Sequence, residues 1–313
     1  MKLLHKIILI CILISIASIY IFIPNNIKII KNIRVKSGNN LIFKFFQNPN
    51  SRSRWWPDKH HNNAKINSTN SFKKATFMIG SGYLEFIPIK VIVNNLELPT
   101  SLTLVSISVD STVIQWKTSI QTSYNPIKRL LQYNQAVELH ANFTELLHIF
   151  KIFIENDLKV YGLAIRFGNV TNPILLTTKF RSSSYPSSQM IYNSINLLKA
   201  TIKTKGVIQT DSPMLNISSQ SATDYEIQTA IPINKEFQIT GHQIIKRMVL
   251  GRVLETRVVG GPHRLTNAMQ ELENFLQDNR LVSPAIPYQS LVTNRLVVPD
   301  SSKWVTQIFY PIY

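Results

Sequence analysis

The sequence is poor in cysteine and in acidic residues, and both shortages restrict the class of protein it can encode. Among 313 residues there is one cysteine, Cys11, within an apolar N-terminal run. The folded part of the chain therefore has no disulfide, no thiol chemistry and no cysteine metal site. Only 17 acidic residues stand against 34 Lys and Arg, a formal net charge of +17 at pH 7. Such a charge suits nucleic acid or an anionic lipid surface.

The spacing of the basic residues argues against nucleic acid. They are dispersed along the chain. After the N-terminus no basic stretch is longer than two residues, the length of Lys73-Lys74. The sequence contains neither an arginine-rich arm nor a recognition helix, which are the usual signatures of nucleic-acid binding. We predict a solvated basic surface and no nucleic-acid partner.

Catalytic and cofactor motifs are also missing from the sequence. It contains no G-x-S-x-G elbow, no P-loop, no G-x-G-x-x-G and no H-E-x-x-H. His60 and His61 are adjacent in the polar stretch from Asp58 to Lys74, without a nearby carboxylate cluster that would complete a metal site. We therefore predict no cofactor, no metal site and no catalytic residues.

The N-terminus carries a long apolar run from Ile7 to Ile23, IILICILISIASIYIFI. A helix of this length can cross a bilayer, which needs roughly 17 to 25 residues. A cleaved signal peptide is the alternative, but no small-x-small cleavage site follows Ile23. We predict a retained single-pass anchor over residues 1–27. Because a tail of a few residues usually stays cytoplasmic, we expect the soluble part outside the cytoplasm.

Residues 28–159 read as a first soluble domain. The pattern predicts a strand from Lys28, a short helix over Asn39 to Gln47, several strands and a long helix from about Gln135 to Asp157. The segment Phe45-Phe46-Gln47-Asn48-Pro49, followed by Trp55-Trp56-Pro57, resembles the START-like, polyketide-cyclase-type superfamily. The resemblance implies a helix-grip fold and an apolar ligand between the sheet and the long helix. Trp56 and Trp116 would line that cavity; the alternative is that both are ordinary core aromatics.

Residues 160–313 contain an unequal internal copy. The stretch from Tyr225 to Ile233, YEIQTAIPI, is echoed by the stretch from Trp304 to Ile312, WVTQIFYPI. A proline-led amphipathic helix precedes each copy, beginning near Pro186 and at Pro262. The pattern predicts the order strand, helix, strand, strand, twice. The predicted strands include Tyr161 to Gly168, about Arg247 to Val259, and Val305 to Ile312. Two such units bury one face when they stack, and we expect a ligand cleft at the seam between them.

Four short motifs of this half resemble the GyrI-like bacterial effector-binding domain: Arg257 to Pro262, Ala285 to Tyr288, Val292 to Arg295 and Trp304 to Ile312. The resemblance implies paired modules with a ligand cleft between them. Family members that bind cations or hydrolyse substrates commonly carry a glutamate in the last strand, where this chain has Gln307. Without that carboxylate the chain lacks both a counter-charge for a cation and the obvious general base. This favours binding without catalysis.

The sequence as a whole predicts an α+β protein: an anchor, a START-like helix-grip domain and a duplicated GyrI-like domain. We expect it to bind a small amphipathic or aromatic ligand without a covalent step. The alternatives are a hydrolase that uses Glu226 or Glu255, and a structural or partner-docking membrane protein. Oligomeric state is left open. The predicted ligand-binding residues are Trp56, Trp116, Tyr225, Gln228, Glu255, Tyr288, Trp304, Gln307 and Tyr310.

Overall fold

The computed structural model describes residues 2–57, 69–94, 96–221, 223–239 and 241–312. The chain divides into two compact units, one ending at Asn156 and the other beginning at Asp157. Each unit combines helices with one antiparallel sheet, of six strands in the first and eight in the second. The predicted α+β class is confirmed.

The first helix, α1 (Lys2–Phe22), is apolar and exposed along most of its length. Its segment Leu3–Phe22 has the length and composition of a membrane span, which a signal sequence shares. The end of α1 is held by the first unit. Arg129, which is buried, donates from its guanidinium to the carbonyl oxygen of Ile23 and to Asn25 Oδ1, and lies 4.9 Å from the ring centroid of Tyr20.

The first unit forms a six-stranded sheet in the order β1-β6-β5-β4-β3-β2. Two short helices lie between the first two strands in sequence, and a long helix follows the last. The elements are β1 (Asn26–Val35), α2 (Asn39–Gln47), α3 (Pro49–Arg52), β2 (Thr69–Phe72), β3 (Ala75–Ile79), β4 (Phe86–Val93), β5 (Leu96–Ser108), β6 (Ser111–Gln121) and α4 (Pro126–Ile154).

Local sequence explains most of these elements. Residues Ile114, Trp116, Thr118 and Ile120 are buried on β6 while Lys117 is exposed, which is the alternation of a half-buried strand. The predicted start of the long helix was wrong. Helix α4 begins at Pro126 because the Asn125 Oδ1 accepts hydrogen bonds from the amides of Ile127 and Lys128, and proline is favoured in a first helical turn.

The second unit forms an eight-stranded sheet in the order β11-β8-β10-β9-β13-β14-β12-β7. Its elements are α5 (Asp157–Tyr161), β7 (Arg166–Asn169), β8 (Ile174–Ser182), α6 (Ser188–Thr204), β9 (Met214–Ser221), β10 (Asp224–Pro232), β11 (Ile244–Arg247), β12 (Arg252–Val259), α7 (Pro262–Asp278), β13 (Tyr288–Leu291), a 3-10 helix (Ser301–Lys303) and β14 (Val305–Ile312). In chain order, β8-α6-β9-β10 is followed by β12-α7-β13-β14.

Helices α6 and α7 cover the same face of this sheet. Ser194 on α6 hydrogen-bonds Thr229 at 2.6 Å, and Gln289 donates to the Met269 sulfur on α7 at 3.8 Å. Thr229 pairs with Leu215, and Leu215 pairs with Gln289, so these three neighbours point to one side. The opposite side, which we call the open face, is free of both helices.

Two predictions for the second unit were wrong. Tyr161, expected to begin a strand, ends helix α5. The strand expected from Arg247 to Val259 is two strands, β11 and β12, separated by residues 248–251. The break has a topological cause, because β11 and β12 lie near opposite edges of the sheet. A single continuous strand cannot serve both positions.

Candidate ligand-binding site

A cavity of about 520 Å³ lies on the open face near the centre of the eight-stranded sheet. Its floor is a small buried apolar cluster of Leu175, Met214 and Ala230, with Met248 and Tyr288 packed against it. Its lining comes from β8 to β11 and from β12 to β14, so both strand-helix-strand-strand sets contribute. Ligand pockets in proteins are commonly about 300–1,000 Å³, and this cavity falls within that range.

The curvature of the sheet follows from two short connections. Residues 170–173 join β7 to β8, and residues 248–251 join β11 to β12; each pair of strands is six positions apart in the sheet. A flat sheet would separate them by about 29 Å at 4.7–4.9 Å per strand. The five Cα steps of each connection reach at most about 18 Å. The sheet must therefore curl, and the open face is its concave side.

We call residues 170–173 and 248–251 together the strap. Its two segments are hydrogen-bonded: the Val170 amide donates to the Gly251 carbonyl at 3.0 Å, and the Met248 amide donates to the Pro173 carbonyl at 2.7 Å. Val170 and all of 248–251 line the cavity. Residues 284–287, with the predicted Ala285-Ile286-Pro287 motif, form another part of the wall. The cavity is thus enclosed by apolar segments on a curved floor.

A few polar groups enter this apolar lining. Asn216 Nδ2 donates to the Pro287 carbonyl at 2.8 Å, which ties the floor to the wall. The Lys246 Nζ lies 3.5 Å from Gln228 Oε1, an amide predicted to bind ligand. Arg247 and Arg252 complete the charged lining. Among the lining residues that the structure describes there is no Ser, Thr, Cys, His, Asp or Glu.

Tyr288, a predicted site residue, lies where the floor meets the wall. Its ring stacks on Phe309, with the centroids 4.9 Å apart and the planes 14° apart. Burial, together with the charges of Asp211 and Glu255, raises the pKa of the Tyr288 hydroxyl to about 12. The hydroxyl therefore stays protonated at neutral pH and can offer a ligand a hydrogen bond.

Gln307 and Glu255 lie on the open face outside the cavity lining. Gln307 is opposite Arg257 on β12 and Ser290 on β13. Glu255 on β12 pairs with Phe309 on β14, and Tyr288 on β13 pairs with the same Phe309 from the other side. Both side chains are half-buried. Their predicted roles in ligand binding stay predictions, and the position equivalent to the family glutamate is next to the cavity instead of within it.

The remaining predicted residues of this half lie on other surfaces. Tyr225 packs against the core under α6 and meets Tyr185 edge to face at 5.9 Å. The Tyr310 hydroxyl donates to Glu273 on α7 at 3.3 Å, so its side chain points to the helix side. Trp304 Nε1 donates to the Val298 carbonyl at 2.7 Å. None of the three lines the cavity, and their ligand contacts stay predictions.

Trp56 and Trp116 are packed inside the first unit. Trp116 is fully buried, stacks on Phe143 at 4.2 Å, and donates from Nε1 to Thr100 Oγ1 at 3.0 Å. Trp56 donates to the Ser71 carbonyl at 2.8 Å and meets Phe77 edge to face. Their ring nitrogens are satisfied and their faces are covered by other rings. Within the described residues, this supports the core-aromatic alternative for both.

The predicted alternatives for chemistry find little local support. Lys179 hydrogen-bonds Glu226, and that bond is the main cause that lowers the pKa of the Glu226 carboxyl, which disfavours a role as a general base. No group of three or more His, Cys, Asp or Glu suited to a metal occurs in the described part of the chain. His60 and His61 lie outside the described residues.

The local sequence pattern did not indicate Lys246 or the strap as parts of the site. Residues 248–251, MVLG, continue the apolar pattern of the flanking strands, so periodicity gives no sign of a break. The one local signal is Gly251, which ends the run before Arg252. Glycine within a strand pattern often marks an irregularity.

No protein family and no curated protein matches the chain. Among solved structures, the chain is similar to the EcmrR C-terminal domain, with 17% identity over 48% of this chain and 98% of that one, at a TM-score of 0.43. A hydrolase from Listeria innocua is 9% identical over 47% of this chain and 92% of that one, with a TM-score of 0.36. SAV2435 bound to tetraphenylphosphonium is 10% identical over 48% of this chain and 94% of that one, with a TM-score of 0.32. Ligand and activity must therefore be inferred from this chain's own residues.

Proposed function

We propose that this chain is a membrane-anchored protein that binds small amphipathic or aromatic molecules in the cavity on the open face. The observation that carries the proposal is the cavity itself: an apolar floor under a strap, with two amides, one tyrosine and a few cations around it. An apolar surface with few polar groups is the usual composition of a small-molecule site. We assign the second unit to the GyrI-like domains on the motifs given above.

We further propose that binding involves no covalent step. Apart from Tyr288, the described residues of the lining lack the hydroxyl, thiol, imidazole and carboxylate groups that usually act as nucleophiles or general bases. The raised pKa of Tyr288 keeps it a hydrogen-bond donor. The groups present can orient a ligand, and none is arranged with a partner that would activate it.

We also propose that α1 is retained as an anchor and that the first unit is START-like. The contacts of buried Arg129 with the Ile23 carbonyl and the Tyr20 ring support the anchor, because cleavage after Ile23 would remove both partners from a buried guanidinium. The sheet order and the closing helix α4 support the START-like assignment. We propose that the soluble part lies outside the cytoplasm.

Enlarging Ala230 tests the binding site. Ala230 is 4% exposed and its side chain lies on the cavity floor. Ala230→Leu is expected to project into the cavity from its floor and to weaken binding of 2-naphthalenemethanol at least tenfold, while the free energy of unfolding changes by less than about 1 kcal/mol. Calorimetry on the full chain in neutral phospholipid nanodiscs, with empty nanodiscs subtracted, measures the binding.

Ala136→Leu is the matched control. Ala136 is 3% exposed on α4 and does not line this cavity. In a filled core the added carbons are expected to cost about 1–3 kcal/mol in chemical denaturation, with ligand binding unchanged. Equal destabilisation by the two substitutions, or naphthalenemethanol binding that survives Ala230→Leu, would contradict the assignment of the cavity.

A further inference from the structure

We propose that the cavity selects anionic amphipathic or aromatic ligands, with Lys246 as the contact for the negative headgroup. The inference rests on the proposed binding function and specifies its ligand class. It comes from the charges of this chain, which has lysine and arginine around the cavity and no carboxylate in the described lining.

Of the three cations in the lining, one is already neutralised. Arg247 Nε lies 2.5 Å from Glu236 Oε1, so this pair is complete. The Arg252 guanidinium lies 5.1 Å from the ring centroid of Phe167, which packs on Phe275 of α7, so this charge is on the helix side of the sheet. Lys246 forms no ion pair within the described residues, and its closest polar contact is the neutral Gln228 amide at 3.5 Å.

The acidic groups nearest the cavity lie outside its lining. Lys179 holds Glu226 at 2.5 Å. Asp211 accepts from the Ser212 amide at 2.6 Å in its own turn. Glu255 lies on the open face beyond Phe309, across that ring from Tyr288. A bound cation would therefore meet no carboxylate in the described lining, whereas an anion would meet Lys246.

The position of Lys246 explains why an anion is favoured. Its side chain is half-buried and lies on the same face as Leu175, beside the apolar floor. The charge of Lys246 reaches Glu226, which is already bonded to Lys179. A carboxylate or sulfonate would give this partly dehydrated amine a direct charge-assisted hydrogen bond. The apolar part of the same ligand would cover Leu175, Met214 and Ala230.

Three naphthalene ligands that differ mainly in headgroup charge test the inference. Calorimetry on the full chain in neutral nanodiscs would compare 2-naphthoate, 2-naphthalenemethanol and (2-naphthylmethyl)trimethylammonium. We expect 2-naphthoate to bind at least tenfold tighter than the cation, with the alcohol between them. Dodecanoate in the same assay distinguishes a lipid-derived acid from an aromatic one.

Lys246→Met should weaken 2-naphthoate binding by about tenfold, as expected for one charge-assisted bond of roughly 1.5 kcal/mol. It should not weaken binding of the alcohol. Lys199→Met is the charge-matched control, because Lys199 is exposed on α6, on the other side of the sheet. It should leave binding of all three ligands unchanged.

The outcomes separate this inference from the proposed function. Equal affinity for acid and cation, preference for the cation, or an equal effect of Lys199→Met and Lys246→Met would overturn charge selection while the binding function stands. Failure of all three naphthalenes and of dodecanoate to bind would overturn the binding function itself, and charge selection with it.

Discussion

Tyr288 links the stability of the second unit to the chemistry of its cavity. Burial raises the pKa of its hydroxyl to about 12, above the value of about 10 for an unfolded tyrosine. The folded state therefore holds the proton more tightly than the unfolded state. The stabilisation is fully present below pH 10 and is lost as pH rises through 12.

Replacing this hydroxyl tests the shift. We expect the free energy of unfolding of the natural chain to fall between pH 10 and pH 12 more steeply than that of Tyr288→Phe, which has no group to ionise. Chemical denaturation at several alkaline pH values measures the difference, and absorbance of tyrosinate on the folded proteins locates the titration. Parallel curves for the two proteins would show that Tyr288 is not shielded as described.

The residue scale also shows where composition is a poor guide. Trp116 and Tyr288 are both large aromatic residues on strands, and both suited a ligand contact in the sequence. Trp116 is covered by Phe143 and bonded to Thr100, whereas Tyr288 stacks on Phe309 and lines the cavity. That difference depends on which elements pack over each ring, and tertiary contacts of this kind leave no mark on the local pattern.

At the scale of elements, helix α4 depends on its first turn. The Asn125 side chain accepts from two backbone amides that have no partner within the helix, those of Ile127 and Lys128. Asn125→Ala should remove about 1 kcal/mol, which corresponds to about fivefold faster hydrogen exchange at these amides. Asn125→Asp keeps an acceptor and should retain the protection. Identical exchange in the two variants would exclude the cap.

Elements with a strong local period could be predicted, and those set by topology could not. Helix α2 and strand β14 occur at the residues that the pattern predicts, because their apolar spacing and end residues are local features. The strap was read as strand, because MVLG has the composition of its neighbours. Its conformation follows from the position of β11 and β12 in the sheet, which only the complete strand order reveals.

For the whole molecule, the single cysteine allows a direct test of sidedness. Cys11 lies in α1, and Cys11→Ser gives a cysteine-free background. Ser183→Cys then places one thiol at an exposed site of the second unit. If the soluble part lies outside the cytoplasm, a membrane-impermeant maleimide should label it in intact cells. Labelling only after the membrane is opened would place the soluble part inside.

The strap also affects how readily copies of the second unit could associate through the edges of their sheets. Strands with unpaired edges are templates for aggregation, and short edge strands reduce that hazard. Here the edges are β7 and β11, and each is four residues long. The strap leads directly from β7 into β8 and from β11 into β12. The connection that closes the cavity therefore also leaves little free edge to which another copy of the chain could add.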